Sequence, residues 1–281
     1  MEYYEYEPVS LFLKDLQQLE SYKSPKQSVE LLVHPRLGKV LIINGEIQHI
    51  EQYQTLYHEL LVHLPIAFIP NIHTALIIGG GSLFAAYEVL KYPTIESITL
   101  CDHDHTVLDL MEKYYPHAIA VLQDKRFHYI ENDGKEFLRK QNKMYDLIIN
   151  DCFNLASESN RDHLSYFTLL SDLCTTSGVC ADIIYRHIFD KKVTLDTLAY
   201  LKHEKNLALS LVTVPEYPGI LHIETIWGNS PYLIQSCKKT ANLYQNEIVS
   251  GKIASPFRFF SPDNIPFYLY LPPYIKEMFS L

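Results

Sequence analysis

The sequence predicts an α/β protein: an open, mostly parallel, doubly wound sheet preceded by a small antiparallel β-domain. Three observations lead there. Short, continuous apolar runs such as Ala75-Leu76-Ile77-Ile78 and Leu147-Ile148-Ile149 have the length of strands buried on both faces. From residue 73 onward such runs alternate with segments of helical periodicity, the signature of repeated βαβ units. Ahead of them lie strand-like segments joined by turns, with the hairpin dipeptide Asn44-Gly45 between two of them.

Taken in order, Val29 to Val33 reads as a strand, followed by a turn at His34-Pro35-Arg36-Leu37-Gly38. Lys39 to Ile43 and Glu46 to Ile50 are the two arms of the Asn44-Gly45 hairpin. Leu56, Leu60, Leu61 and Leu64 then recur at helical spacing and predict a helix over 54–64. Strands are expected at 75–78, 97–101, 127–130 and 147–150, with helices over 83–91, 105–114 and 134–140 between them. Further strands are expected at 178–184, 208–214 and 221–227, and the Pro- and aromatic-rich last 30 residues should wrap the domain surface. The chain divides into residues 1–52, the β-domain, and 53–281, the α/β domain.

Composition narrows the function. The 281 residues carry 24 Lys+Arg against 33 Asp+Glu, a net charge of −9. That argues against a general nucleic-acid binder, which needs clustered cations to displace phosphate counterions. It is compatible with a cationic substrate, although solubility alone also accounts for it. No apolar run reaches the ~18 residues of a membrane span, and the acidic start Met1-Glu2-Tyr3-Tyr4-Glu5 is the reverse of a signal peptide. The five cysteines (Cys101, Cys152, Cys174, Cys180, Cys237) are odd in number and form no C-x-x-C pair. The expectation is a cytoplasmic protein with no bound metal.

Three strand ends carry groups suited to a nucleoside. Gly79-Gly80-Gly81 lets the backbone approach a ligand and opens a helix N-terminus, although a glycine run by itself can be only a tight turn. Asp102 follows about 20 residues later at the end of the next strand, where an acid takes ribose hydroxyls in nucleotide-binding folds. Asn132-Asp133-Gly134 places a carboxylate near an adenine edge. The third glycine of a dinucleotide fingerprint is replaced by Phe84, which disfavours a pyrophosphate-bearing cofactor and favours a nucleoside such as S-adenosylmethionine or its decarboxylated form. Asp151, at the end of the fourth strand, can take a proton from an attacking amine; a helix N-cap is the alternative.

In order and spacing these blocks resemble the spermidine synthase (polyamine aminopropyltransferase) family. Leu37 to Gln48 resembles its "FGrvLvLDGviQ", Tyr57 to Pro65 its "YHEmiaHlP", and Ile77 to Gly81 its "iGGGdGg". Asp102-His103-Asp104 is similar to "EID", Asp151 to Leu155 to "DSSDP", and Pro215-Glu216-Tyr217-Pro218 to "PTYP". The resemblance implies a Rossmann-like, methyltransferase-type domain behind the β-domain. It implies transfer of an aminopropyl group from decarboxylated S-adenosylmethionine to an amine acceptor, with release of methylthioadenosine. No cofactor would be permanently bound, and the protein would be a homodimer.

By the same resemblance Asp151 is the catalytic base. Gln27, Gly79, Gly80, Gly81, Ser82, Asp102, Asp133 and Gly134 hold the nucleoside donor. Gln48, Tyr57, His58, Asn154 and Tyr217 hold the acceptor. There are also departures: Tyr53, Gln54, Ser82 and Asn154 are neutral where the family is acidic, which places the excess negative charge mostly outside the expected cavity. Those losses open two alternatives. One is methyl or aminocarboxypropyl transfer from S-adenosylmethionine itself, and the other is a catalytically silent homologue.

Overall fold

A computed structural model describes residues 3–4, 11–152, 160–185, 191–204, 206–217, 222–234, 253 and 257–279. The chain begins with a two-residue ribbon of β1 (Tyr3–Tyr4) and β2 (Phe12–Leu13). A four-stranded antiparallel sheet follows in chain order: β3 (Gln17–Lys23), β4 (Ser28–His34), β5 (Gly38–Ile43) and β6 (Glu46–Ile50). Asn44 and Gly45 both take positive φ, 52° and 81°, as the tight turn between two right-twisted strands requires. The sheet is two-faced. Val29, Leu31 and Leu41 join the main core of the molecule, whereas Leu32, Val40, Ile42 and Ile47 form a separate cluster with Leu13 and Leu16. The strand β3 escapes sequence reading because its residues are largely exposed and carry no apolar run.

Helix α1 (Gln54–Ile66) is buried continuously from Tyr57 to Ile66. A helix apolar all round belongs inside a core, and the residues that cannot be apolar are bonded instead. Glu59, fully buried, accepts the backbone N–H of Arg258 at 2.8 Å and those of Phe259 and Phe260 at 2.7 Å each. His63 meets Tyr92 Oη through Nδ1 and Glu88 Oε2 through Nε2, each at 2.8 Å. The expected C-terminal wrap is thus fastened to α1, and Phe260 and Ile265 join the main core.

The large sheet comprises β7 (Thr74–Gly79), β8 (Ser97–Asp102), β9 (Phe127–Glu131), β10 (Tyr145–Asp151), β11 (Cys174–Tyr185), β12 (Asn206–Val212) and β13 (His222–Gly228). Its order is β12-β13-β11-β10-β7-β8-β9, parallel from β11 to β9, with β13 antiparallel to both neighbours. Alternate residues of the central strands feed two cores. Ala75, Ile77, Ile98, Leu100, Leu147 and Ile149 pack with α1 and with α2 (Phe84–Leu90) and α3 (Thr106–Tyr114). Leu76, Ile78, Cys101 and Ile148 pack with α5 (Gly134–Lys140) and α6 (Asn160–Asp172). Helices on both faces make the sheet doubly wound, as the apolar runs predict.

Helices α4 (Pro116–Gln123), α6 and α7 (Lys191–Glu204) are not marked in the sequence reading, nor are the short helices Ile265–Tyr268 and Pro273–Phe279. The boundary between α3 and α4 is local: Tyr115 is extended (φ −130°, ψ 116°), the conformation forced on a residue before proline, and Pro116 restarts a helix at its first position.

Glu59→Ala would leave three backbone donors without their acceptor. The expected loss is at least about 3 kcal/mol, a fall of roughly 6–12 °C in unfolding midpoint for a chain of this size. Thermal denaturation checks this, and limited proteolysis should show earlier cleavage after residue 250.

Candidate active site

The site is built at the carboxyl ends of β7, β8 and β10, where the chain runs outward from β7 through β8 and β9 and then returns to β10 on the other side of β7. Such a switch point is where ligands bind in open α/β sheets. Gly79 pairs with Asp151 across the β7–β10 ladder. Gly79 and Gly80 have φ of +76° and +72°. A Cβ on Gly79 would lie 2.5 Å from the Asp151 carbonyl oxygen, and one on Gly80 3.1 Å from Asp151 Oδ2. A Cβ on Gly81 would lie 3.0 Å from Asp102 Oδ2. The glycines therefore do more than turn the chain: they let two carboxylates close in on the turn.

Asp102 is oriented by that turn. Its Oδ2 accepts the Gly81 N–H at 3.2 Å, and its Oδ1 accepts the Asp104 N–H at 3.1 Å. His103 Nδ1 lies 3.3 Å from Oδ1 as a third partner, and a carboxylate has about four acceptor sites, so capacity remains for a ligand. The adjoining wall comes from the N-terminal sheet: Ser24 Oγ donates to Asp104 Oδ2 at 2.5 Å, and Lys26 bonds both the His103 carbonyl and Glu131 Oε1 (2.7 Å for the latter).

Asp151 receives the Tyr57 hydroxyl at 2.8 Å. Burial raises the Asp151 carboxyl above its ordinary value, and the Asp102 charge adds to this; His58 and the Tyr57 hydrogen bond oppose it. Tyr57 itself is pushed well above its usual value by burial and then by the Asp151 charge, so it stays a hydroxyl donor. His58 is lowered by burial. Its Nδ1 lies 2.9 Å from the Gln54 carbonyl, which can only accept, so Nδ1 carries the proton and Nε2 is the lone-pair side.

These groups line one cavity of about 380 Å³. Of the residues expected from sequence, Gln27, Gln48, Tyr57, His58, Gly79, Gly80, Gly81, Ser82, Asp102, Asp151 and Tyr217 all meet there. The Tyr217 hydroxyl is committed to the Ile47 carbonyl at 2.6 Å. The cavity wall does not include Asp133 and Gly134. The Asp133 carboxylate caps α5 by accepting the Glu136 N–H at 2.9 Å, and Gly134 packs where a Cβ would strike Ile78 at 2.7 Å. Asn154 lies outside the described residues.

The wall also holds residues that the sequence reading leaves unassigned. Glu46 and Glu216 both line the cavity and add two carboxylates to those read from the sequence, although most of the excess negative charge still lies outside it. Among the described lining residues four carboxylates (Glu46, Asp102, Asp151, Glu216) stand against one lysine, Lys26. The sequence signal for Glu216 is its place in the block similar to "PTYP", where it occupies the threonine position. His49 is 2% exposed with neither ring nitrogen bonded, and its ring lies 4.6 Å from that of Phe84. Phe84 in turn stacks on His117 at 3.8 Å, so aromatic rings fill the place of the missing third glycine.

A family model described as the spermine/spermidine synthase domain matches residues 54–237. Putrescine N-methyltransferase 2 of Nicotiana tabacum is 32% identical over 265 residues, covering 91% of this chain and 74% of that protein. A polyamine aminopropyltransferase of Lachnospira eligens is 38% identical over 134 residues, 48% of this chain and 47% of its own length. Among solved structures, the spermidine synthase of Thermotoga maritima superposes with a TM-score of 0.84 at 23% identity, covering 100% of this chain and 95% of that one. A match over most of the chain, on the fold and strand-end geometry described, makes this protein a transferase of the spermine/spermidine synthase family.

Proposed function

We propose that the protein transfers an aminopropyl group from decarboxylated S-adenosylmethionine to an amine acceptor and releases methylthioadenosine. The observation that carries this is the Tyr57–Asp151 pair, at 2.8 Å, set against the Gly79-Gly80 turn in a cavity that also holds Asp102. Asp102 takes the ribose, and Ser82 and Gln27 line the donor's side chain. Asp133 and Gly134, outside the cavity wall, border the adenine. The acceptor nitrogen must be uncharged to attack, yet alkyl amines titrate near ~10.4. Asp151 is the base that takes the proton, and Tyr57 and Tyr217 position the amine with Gln48, His58 and Asn154. Asp151 takes one proton from the acceptor ammonium, the freed lone pair attacks the carbon beside the sulfonium, the C–S bond breaks with its electrons returning to sulfur as a neutral thioether, and the product keeps its remaining two protons as a secondary ammonium. Most of the rate comes from holding nitrogen and carbon in line.

A second reading is methyl transfer from S-adenosylmethionine. It is favoured by the methyltransferase relative that spans most of the chain and by Ser82, which presents no charge against a donor carboxylate. Incubation with each donor and a panel of amines, with the nucleoside product identified by mass spectrometry, separates the two. Methylthioadenosine is the expected product. S-adenosylhomocysteine would replace the first reading by the second, and no product with any amine would leave a silent homologue. The cytoplasmic homodimer belongs to the same proposal; light scattering should give twice the 32.6 kDa chain mass.

Asp151→Asn should lower kcat by about 10²–10⁴, the usual contribution of a positioned base. The base works only when ionised, and burial raises its pKa. The acid limb of kcat/KM should therefore lie above the ordinary aspartate value of 3.8. Tyr57→Phe removes a hydrogen bond that holds this pKa down, so the limb should move to still higher pH. A limb that stays in place would show that another group titrates.

A further inference from the structure

The turn between β3 and β4, residues 24–27, supplies part of the cavity wall from outside the α/β domain. Gln27, 8% exposed, and Lys26 both line the cavity from this turn. Ser24 organises it. The Ser24 N–H donates to the Gln27 carbonyl at 2.9 Å, and its Oγ accepts the N–H groups of Lys26 at 3.1 Å and of Gln27 at 3.0 Å. The single hydroxyl hydrogen goes to Asp104 Oδ2 at 2.5 Å, 80 residues away in the chain. The Gln27 carbonyl, 3.3 Å from the same Oγ, is the weaker acceptor because it carries no charge.

Asp104 is 3% exposed and does not line the cavity. Its Oδ1 accepts the Thr106 N–H at 3.0 Å, and its own N–H donates to Asp102 Oδ1 at 3.1 Å. An asparagine would serve the turn into α3 equally well. A carboxylate adds a second, charged oxygen, and that is the oxygen Ser24 holds. Burial pushes the Asp104 carboxyl up, but the hydrogen bonds from Ser24 and Thr106 outweigh burial and hold the group below its ordinary value. A second fastening of the turn, Lys26 Nζ on the His103 carbonyl and Glu131, is exposed, and exposed ion pairs contribute little. A line of bonds thus runs from Gln27 through Ser24 and Asp104 to Asp102. It joins a wall residue of the N-terminal sheet to the acid at the end of β8 through side chains outside the cavity.

Resting on the reading of Gln27 and Asp102 as holders of the nucleoside, we propose that Ser24 and Asp104 are a positioning pair for donor binding. They fix the turn that carries Gln27 against Asp102, and neither side chain touches the ligand. The pair therefore sets nucleoside affinity and leaves the step at Asp151 as it is.

The test is calorimetric titration of the full chain with methylthioadenosine, beside thermal unfolding of the ligand-free chain. Ser24→Ala should weaken binding about tenfold, the worth of one charge-assisted hydrogen bond. Ser24→Thr, which keeps the hydroxyl, should restore it. Asp104→Asn should weaken binding likewise, and adding Ser24→Ala to it should cost little more, because both changes remove the same bond. In the transfer assay Ser24→Ala should raise the donor KM and leave kcat at saturating donor unchanged. A pair that serves only stability would lower the unfolding midpoint and leave the affinity as it was. That result overturns the proposal, as do additive losses in the double variant. Should Asp104→Asn fail to fold, the comparison of Ser24→Ala with Ser24→Thr decides alone. A wild-type chain that binds no methylthioadenosine refutes the nucleoside reading and the proposal with it, whereas wild-type binding left unchanged by Ser24→Ala refutes the proposal alone.

Discussion

The close approach of the Gly79-Gly80 backbone to Asp151 is the constraint on which the site depends. Gly79 and Asp151 are partners in the β7–β10 ladder, so the sheet itself fixes their separation. Positive φ at both glycines then turns the chain over the carboxylate instead of away from it. Any side chain at 79 would meet the Asp151 backbone, and one at 80 would press on its carboxylate. The result is a half-buried base whose environment is protein on one side and ligand space on the other. That is why burial, more than any neighbouring charge, sets its proton affinity.

Helix α1 couples this base to the rest of the molecule. Consecutive residues serve different ends because a helix turns about 100° per residue. Tyr57 bonds Asp151, His58 lines the cavity, Glu59 fastens the C-terminal segment, and His63 joins Glu88 and Tyr92. A polar residue in so buried a helix is costly unless bonded, and each of these four is either bonded or faces the cavity. Stability and chemistry are therefore not separable along α1: loosening the Glu59 contacts also loosens the support of Tyr57.

How far the sequence discloses the site follows from what kind of constraint places each residue. Gly79, Asp102 and Asp151 are legible because they end buried strands, and a short apolar run bounded by glycine or a carboxylate marks a strand end plainly. The hairpin at Asn44-Gly45 is legible because its two positive-φ positions have few alternatives. The strand β3 is not, since its exposed face gives no periodicity. Glu216 is legible as a letter but not as a charge in the cavity. It is placed by long-range bonds from residues 216 and 217 to β6, and spacing along the chain does not encode such bonds. Asp133 is legible in two ways at once, as a strand-end carboxylate and as the cap of the helix that follows it, and its Oδ1 accepts the Glu136 N–H.

The concentration of carboxylates gives the proposed reaction its own control over the base. Asp102 raises the proton affinity of Asp151, as burial does. A sulfonium donor brings a positive centre into the same cavity and favours ionised Asp151, so the base is readied by the donor it serves. Transfer turns the sulfonium into a neutral thioether. At that moment the stabilising charge is gone and the affinity of Asp151 for the proton it has taken rises again, while the alkylated nitrogen keeps its remaining protons as a secondary ammonium. The loss of charge at sulfur and the gain of a proton at the carboxylate thus favour one another, which makes the raised pKa of Asp151 an aid to the step and not an obstacle to it.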